Sequence, residues 1–212
     1  HSFPTRRSSD LIVIKLAAAF EAVGIVLLLF AFVPQFGAEG VWVSVFTAIS
    51  AFCNAGFDLF GRFGAYSSLV PYVNNYYVQA VIMFMIMAGG LGFMVWVELA
   101  EYRKKRRLSL HAKVVLQFSV IFWVGGAVLL ALLEWSNPRT MGGLSVPGKI
   151  MAALFQSVST RTAGMNTIDL AACSPISKLL MSVLQFIGAA PGSTGGGVKV
   201  TTFAVLILTI RS

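Results

Sequence analysis

Apolar residues fall along this chain in runs of unequal length, and length separates two kinds of element. A helix rising about 1.5 Å per residue needs about 20 residues to cross a bilayer. Residues 11–33 (LIVIKLAAAFEAVGIVLLLFAFV), 76–98 (YYVQAVIMFMIMAGGLGFMVWVE) and 113–135 (KVVLQFSVIFWVGGAVLLALLEW) are long enough, and each predicts a membrane span. Pro34 is expected to stop the first. Tyr76, Tyr77 and Trp96 suit the two interfaces of the second. The pairs Gly89-Gly90 and Gly125-Gly126 predict close helix approach, the ordinary packing role of small residues in membranes.

Two further runs are too short to cross. VWVSVFTAISAF (41–52) and KIMAALFQSVS (149–159) reach about half way through a bilayer as helices, which predicts re-entrant half-helices. Each is followed at once by a glycine-containing polar turn, CNAGFDLFG (53–61) and TRTAGMNTIDL (160–170), that must return the chain to its starting side. The last apolar region is broken at AAPGSTGGGVK (189–199). Pro191, Gly192, Gly195, Gly196 and Gly197 cannot sustain a regular helix. Non-helical backbone at membrane depth survives only against protein or water, so the break predicts a pathway.

Composition agrees: 57% of the 212 residues are hydrophobic and 11% charged, with mean hydropathy +0.82. A soluble domain carries about 25% charged residues, so membrane lipid is the expected surrounding. The fold class is an all-α integral membrane protein. A net charge of +8 alone would admit nucleic acid as partner. Its concentration in Arg103, Lys104, Lys105, Arg106 and Arg107, between two spans, instead marks a cytoplasmic loop and removes nucleic acid from the reading. With that loop inside, both half-helices enter from outside. Cys53 and Cys173 form neither a disulfide framework nor a metal pattern. Residues 1–10 (HSFPTRRSSD) lack the features of a signal peptide and are expected to be a non-native or disordered leader.

The order span, half-helix, glycine turn, span occurs twice. Phe46, Ile49, Ser50, Ala55 and Gly56 match Phe155, Val158, Ser159, Ala163 and Gly164 when the second copy is one residue shorter before its glycine. The expected organisation is a repeat over 11–99, a basic loop over 100–112, and a repeat over 113–212 whose second helix is broken. Repeats of this kind build a pseudosymmetric assembly about one axis.

SAFCNAGFDLFG, SVSTRTAGMNTIDL and IGAAPGSTGGGVKVTTF resemble segments of the Trk/Ktr/HKT superfamily of potassium transporters, most of all the bacterial Ktr and TrkH-type membrane subunits. The resemblance covers residues 11–212. It implies four repeats around one potassium pore, of which this chain resembles the second and third. It also implies a homodimer of the complete subunit, a cytoplasmic nucleotide-binding ring of RCK type, and a multi-pass place in the bacterial cell membrane. Potassium is the implied cargo, with sodium left open, and no bound cofactor is implied.

The residues carry their own reason for this chemistry. A dehydrated cation needs its water replaced by oxygens, and backbone carbonyls serve if the chain can approach the axis. Gly56 and Gly164 permit that approach, and the half-helices end with their negative termini toward it. The expected ligands are the carbonyls of Asn54, Ala55, Gly56, Thr162, Ala163 and Gly164. The segment Gly192, Ser193, Thr194, Gly195, Gly196, Gly197 is the expected gate. Lying on a separate segment from the filter, it should be removable without loss of selectivity.

GSTGGGVK is not a phosphate loop: Val198 stands where that motif needs lysine, and Lys199 comes one residue late. Arg161, beside the second turn, is expected to pair with Asp58 or Asp169, or to repel cations. Glu21 is expected to face protein or pair locally. An alternative function is a secondary transporter with a midplane substrate site in the broken helix. The twin glycine turns argue for bare monovalent cations. No Cys/His, Ser/His or carboxylate pair suggests an enzyme.

Overall fold

The computed structural model describes the backbone of residues 6–211 and the side chains of residues 11–210. Its helices are α1 (Arg6–Phe36), α2 (Glu39–Phe52), α3 (Tyr76–Leu91), α4 (Phe93–Lys105), α5 (Leu110–Glu134), α6 (Val146–Ser159), α7 (Pro175–Phe186) and α8 (Val200–Arg211), with two short 3-10 turns between α2 and α3. Among the described residues there is no strand, only an isolated bridge between Ile187 and Val198. The protein is an all-α membrane protein. Leu11–Phe36 and Leu110–Glu134 are each long and apolar enough to cross a bilayer, with mean hydropathy 2.5 and 2.2. Phe30 is 72% exposed and Leu132 74%, a placement that suits lipid or other protein rather than water.

The chain departs from its sequence pattern in three places. Pro34 does not stop α1, which runs on to Phe36. A proline this near the end removes only the bond to the Phe30 carbonyl, and Gly37 N–H still closes on Val33 O at 2.8 Å. The expected span 76–98 is not one helix. At Gly92 the chain turns by 97° between α3 and α4. Gly92 has φ +87°, open to a residue without Cβ, and the Phe93 N–H leaves the helix to bond Gly192 O at 3.1 Å. The Trp96 indole N–H spans the bend to Ala88 O at 2.8 Å.

The expected loop 100–112 is helical at both ends. Only residues 106–109 lie between α4 and α5, with Arg106 left-handed and the Ser109 hydroxyl capping α5 through Ala112 N–H at 3.1 Å. Of the expected leader, residues 1–5 lie outside the described residues, and the backbone of 6–10 is the start of α1.

Each half-helix packs on the span before it, α2 against α1 and α6 against α5. Gly126 accounts for the second pairing. Ser157 of α6 sits on it and donates to the carbonyls of Phe122 and Trp123 at 3.1 and 2.8 Å, whereas Gly125 faces open space. Phe155 and Val158 of α6 reach past their own span into the core formed by Leu28, Phe32, Phe52, Ile82 and Met85 of the first three helices. A second core of Leu130, Ala153 and Met181 joins α5, α6 and α7, and a third of Val95, Val115 and Val200 joins α4, α5 and α8.

Glu134, fully buried, closes α5. It accepts from Asn137 Nδ2 and Thr140 Oγ1 at 2.7 Å, from Ser174 N–H at 2.8 Å and from the Ser177 hydroxyl at 2.5 Å. The carboxylate thereby ties the end of one helix to the N-terminus of α7, where negative charge is favoured.

Candidate functional site

The half-helices end at Phe52 and Ser159, and the turns after them have the same backbone form. In the first, Asn54 (φ +51°) and Gly56 (φ +76°) are left-handed; in the second, Thr162 (φ +77°) and Gly164 (φ +83°) are. Ala55 N–H bonds Ser50 O and Ala163 N–H bonds Ser159 O, both at 2.9 Å. The Ser50 hydroxyl donates to Phe57 O at 2.6 Å, and Ser159 makes the matching bond to Met165 O. Both serines therefore pin the residue just past the glycine. Their role was visible in sequence only as two matched positions.

The two turns meet. A Cβ added to Gly56 would stand 2.7 Å from the Ala163 carbonyl oxygen and 3.2 Å from Gly164 Cα; one added to Gly164 would stand 3.2 Å from Gly56 Cα. Only glycine fits such an approach at positive φ. The flanking carbonyls of Phe52, Phe57 and Met165 accept hydrogen bonds. Among the described residues, none ends on the carbonyls of Asn54, Ala55, Gly56, Thr162, Ala163 or Gly164. Ala55, Thr162, Ala163 and Gly164 border a cavity of about 610 Å³, whose far wall includes Lys178, Ser182 and Gln185 of α7.

The glycine-rich segment folds beneath these turns as an ordered loop. Gly188 N–H bonds Val198 O at 3.0 Å and Ala189 N–H bonds Gly196 O at 3.1 Å, so the segment pairs with itself. Ala190 N–H and Thr194 N–H then bond the carbonyls of Gly90 and Gly89 at 3.0 and 3.1 Å. The Gly89-Gly90 pair thus receives the loop, and a Cβ on Gly89 would strike Phe52 O at the end of α2.

Side chains complete the attachment. The Thr194 hydroxyl donates to Phe52 O and accepts from Asn54 Nδ2, both at 2.8 Å, and Gly196 N–H donates to the Thr162 hydroxyl at 2.9 Å. The sequence places Thr194 in the expected gate but does not show its attachment to the turns, because its partners lie more than a hundred positions away.

Arg161 pairs with neither Asp58 nor Asp169. It is 5% exposed, donates to Gly188 O at 2.7 Å, and has its guanidinium 5.5 and 5.9 Å from the rings of Phe122 and Trp123. The carbonyl just past the end of α7 and two aromatic faces supply the negative potential that a carboxylate would otherwise give. The two aspartates instead cap local turns through Phe60 and Ala171 N–H. Glu21 lies beside the first turn, 3.9 Å from Cys53 Sγ. Both cysteines are free, and burial pushes the Cys173 thiol up to about 11.

Comparison with known proteins decides the family. Residues 3–212 match the family model described as TrkH, cation transport protein. The chain belongs to the TrkH family. That family consists of cation transporters, not enzymes. The chain is 37% identical over 201 residues to the potassium/sodium uptake protein NtpJ of Enterococcus hirae, covering 94% of this chain and 43% of that protein. It is 40% identical over 199 residues to the Ktr system potassium uptake protein B of Vibrio alginolyticus, covering 92% and 43%. The crystal structure of the potassium transporter TrkH from Vibrio parahaemolyticus has the same fold, with a TM-score of 0.76 and 20% identity over 97% of this chain and 41% of that one. The chain therefore spans less than half the length of the TrkH-family proteins it matches.

Proposed function

We propose that the complete protein carries potassium across the bacterial plasma membrane through a filter of backbone carbonyls, with Gly192–Gly197 as an intramembrane gate. The observation that carries this is the pair of opposed left-handed turns whose six carbonyls have no partner among the described residues. Unpaired carbonyls held at a helix's negative end are costly unless something replaces water on them, and a bare monovalent cation does so. Two such turns suit a pore better than the single midplane site of a carrier. Four turns around the axis complete the ring, and the names of the relatives favour potassium, with sodium as second cargo to be tested by competition.

The complete subunit is proposed to be a homodimer that binds an RCK-type nucleotide-binding ring on its cytoplasmic face, near the basic cluster. The filter is tested with Gly56→Ser and Gly164→Ser in the complete subunit, expressed in cells lacking other potassium uptake. A Cβ at either position must displace the facing backbone, so KM for potassium should rise about tenfold, equivalent to about 1.4 kcal/mol, and preference over sodium should fall. Unchanged kinetics for both ions in both variants would remove the filter assignment.

A further inference from the structure

Resting on that filter, we propose that Thr194 and Thr162 are positioning residues for ion selectivity: the glycine-rich loop is the floor that holds both turns in shape, so gate and filter are coupled. Two non-glycine residues in these turns occupy the left-handed region, Asn54 at φ +51° and Thr162 at φ +77°. Asparagine tolerates this conformation, but β-branched threonine rarely does, and such residues persist only where their surroundings over-determine them. For both residues, the loop adds a bond to those that the turn makes within itself. Asn54 Nδ2 donates to the Thr194 hydroxyl, and the Thr162 hydroxyl accepts from Gly196 N–H. These bonds attach the loop to the two turns at structurally equivalent positions.

The anchoring continues outward on each side. Thr194 is locked from behind by its own N–H on Gly89 O, and its hydroxyl also holds Phe52 O, the last carbonyl of α2. Gly196 is held by Ala189 N–H on its carbonyl. Arg161, next to Thr162, fixes the point where the loop leaves α7 through Gly188 O. The loop therefore cannot swing aside while these bonds remain. Withdrawing it frees Asn54 and Thr162, whose carbonyls are proposed ion ligands. Opening and loosening of the filter are one event, contrary to the expectation from sequence that gate and filter act separately.

The test is Thr194→Val in the complete subunit, which keeps the shape and removes the hydroxyl, with Thr194→Ser as the variant that restores it. Valine removes two hydrogen bonds, of which the one from Asn54 holds a proposed ligand residue. Loss of that one corresponds to about fivefold, so potassium KM should rise and preference over sodium fall by at least about that factor, with maximal rate changed less. Serine should return both to the native values at equal membrane abundance. Native KM and selectivity in Thr194→Val overturn the coupling. If Gly56→Ser shifts them in the same cells, the filter stands and only the coupling fails. If Gly56→Ser and Gly164→Ser are both silent as well, the filter itself is wrong. Should Thr194→Val not accumulate, Asn54→Gly removes the same bond from the filter side while permitting positive φ, and native selectivity there overturns the proposal equally.

Discussion

Gly89 lies where α3, the end of α2 and the glycine-rich loop converge without room for a side chain. A Cβ there would overlap the Phe52 carbonyl oxygen and stand 2.7 Å from Thr194 Oγ1. Overpacking of this kind costs about 1–3 kcal/mol. Gly89→Ala should therefore lower the melting midpoint of the complete subunit in detergent. Gly125→Ala is the matched control: nothing lies within 4 Å of its Cβ position, and alanine gains about 1 kcal/mol of helix propensity. A midpoint that moves equally in both variants would contradict the packing described here. Residue identity showed that Gly56 and Gly164 were special, because each followed a half-helix in a repeated pattern. It did not show where Arg161 points. A charge in an apolar chain suggests a carboxylate, whereas the fold supplies a free carbonyl and two rings from segments remote in sequence.

Among elements, the half-helices and the broken region were legible because run length and proline or glycine content are local properties. α2 and α6 end at Phe52 and Ser159, where those runs end. The bend at Gly92 was not legible. Its stabilising partner, Gly192 O, lies a hundred residues away, and the window around Gly92 is as apolar as any span. The same long-range bonding changes what removal of the glycine-rich loop should do. Deleting 192–197 from the complete subunit should raise rubidium flux, because it removes the proposed gate. It should also lower potassium preference over sodium, because Thr194 and the Gly196 N–H go with it. Higher flux at native selectivity would separate gate from filter. Lower or unchanged flux at normal abundance would make the segment a structural kink.

For the whole molecule, a cytoplasmic placement is expected for the basic residues of the last turn of α4 and the two that follow it. Arg107→Cys, at an exposed position, tests it better than a label at Ser109, whose hydroxyl caps α5. In intact cells this cysteine should react with a membrane-permeant maleimide and not with an impermeant one. Labelling by the impermeant reagent would invert the topology, and failure of the complete subunit to co-purify with an RCK-type ring would sink that partner. The interlocking of the repeats also bears on how the protein is made. Phe155 and Val158 belong to the core beneath the first turn, although the chain reaches them only after three more helices. The first turn is therefore synthesised long before its packing exists. The wall behind Asn54 and Gly56 is complete only once the second half-helix is in place, so a chain cut before α6 should leave the first turn without its native packing.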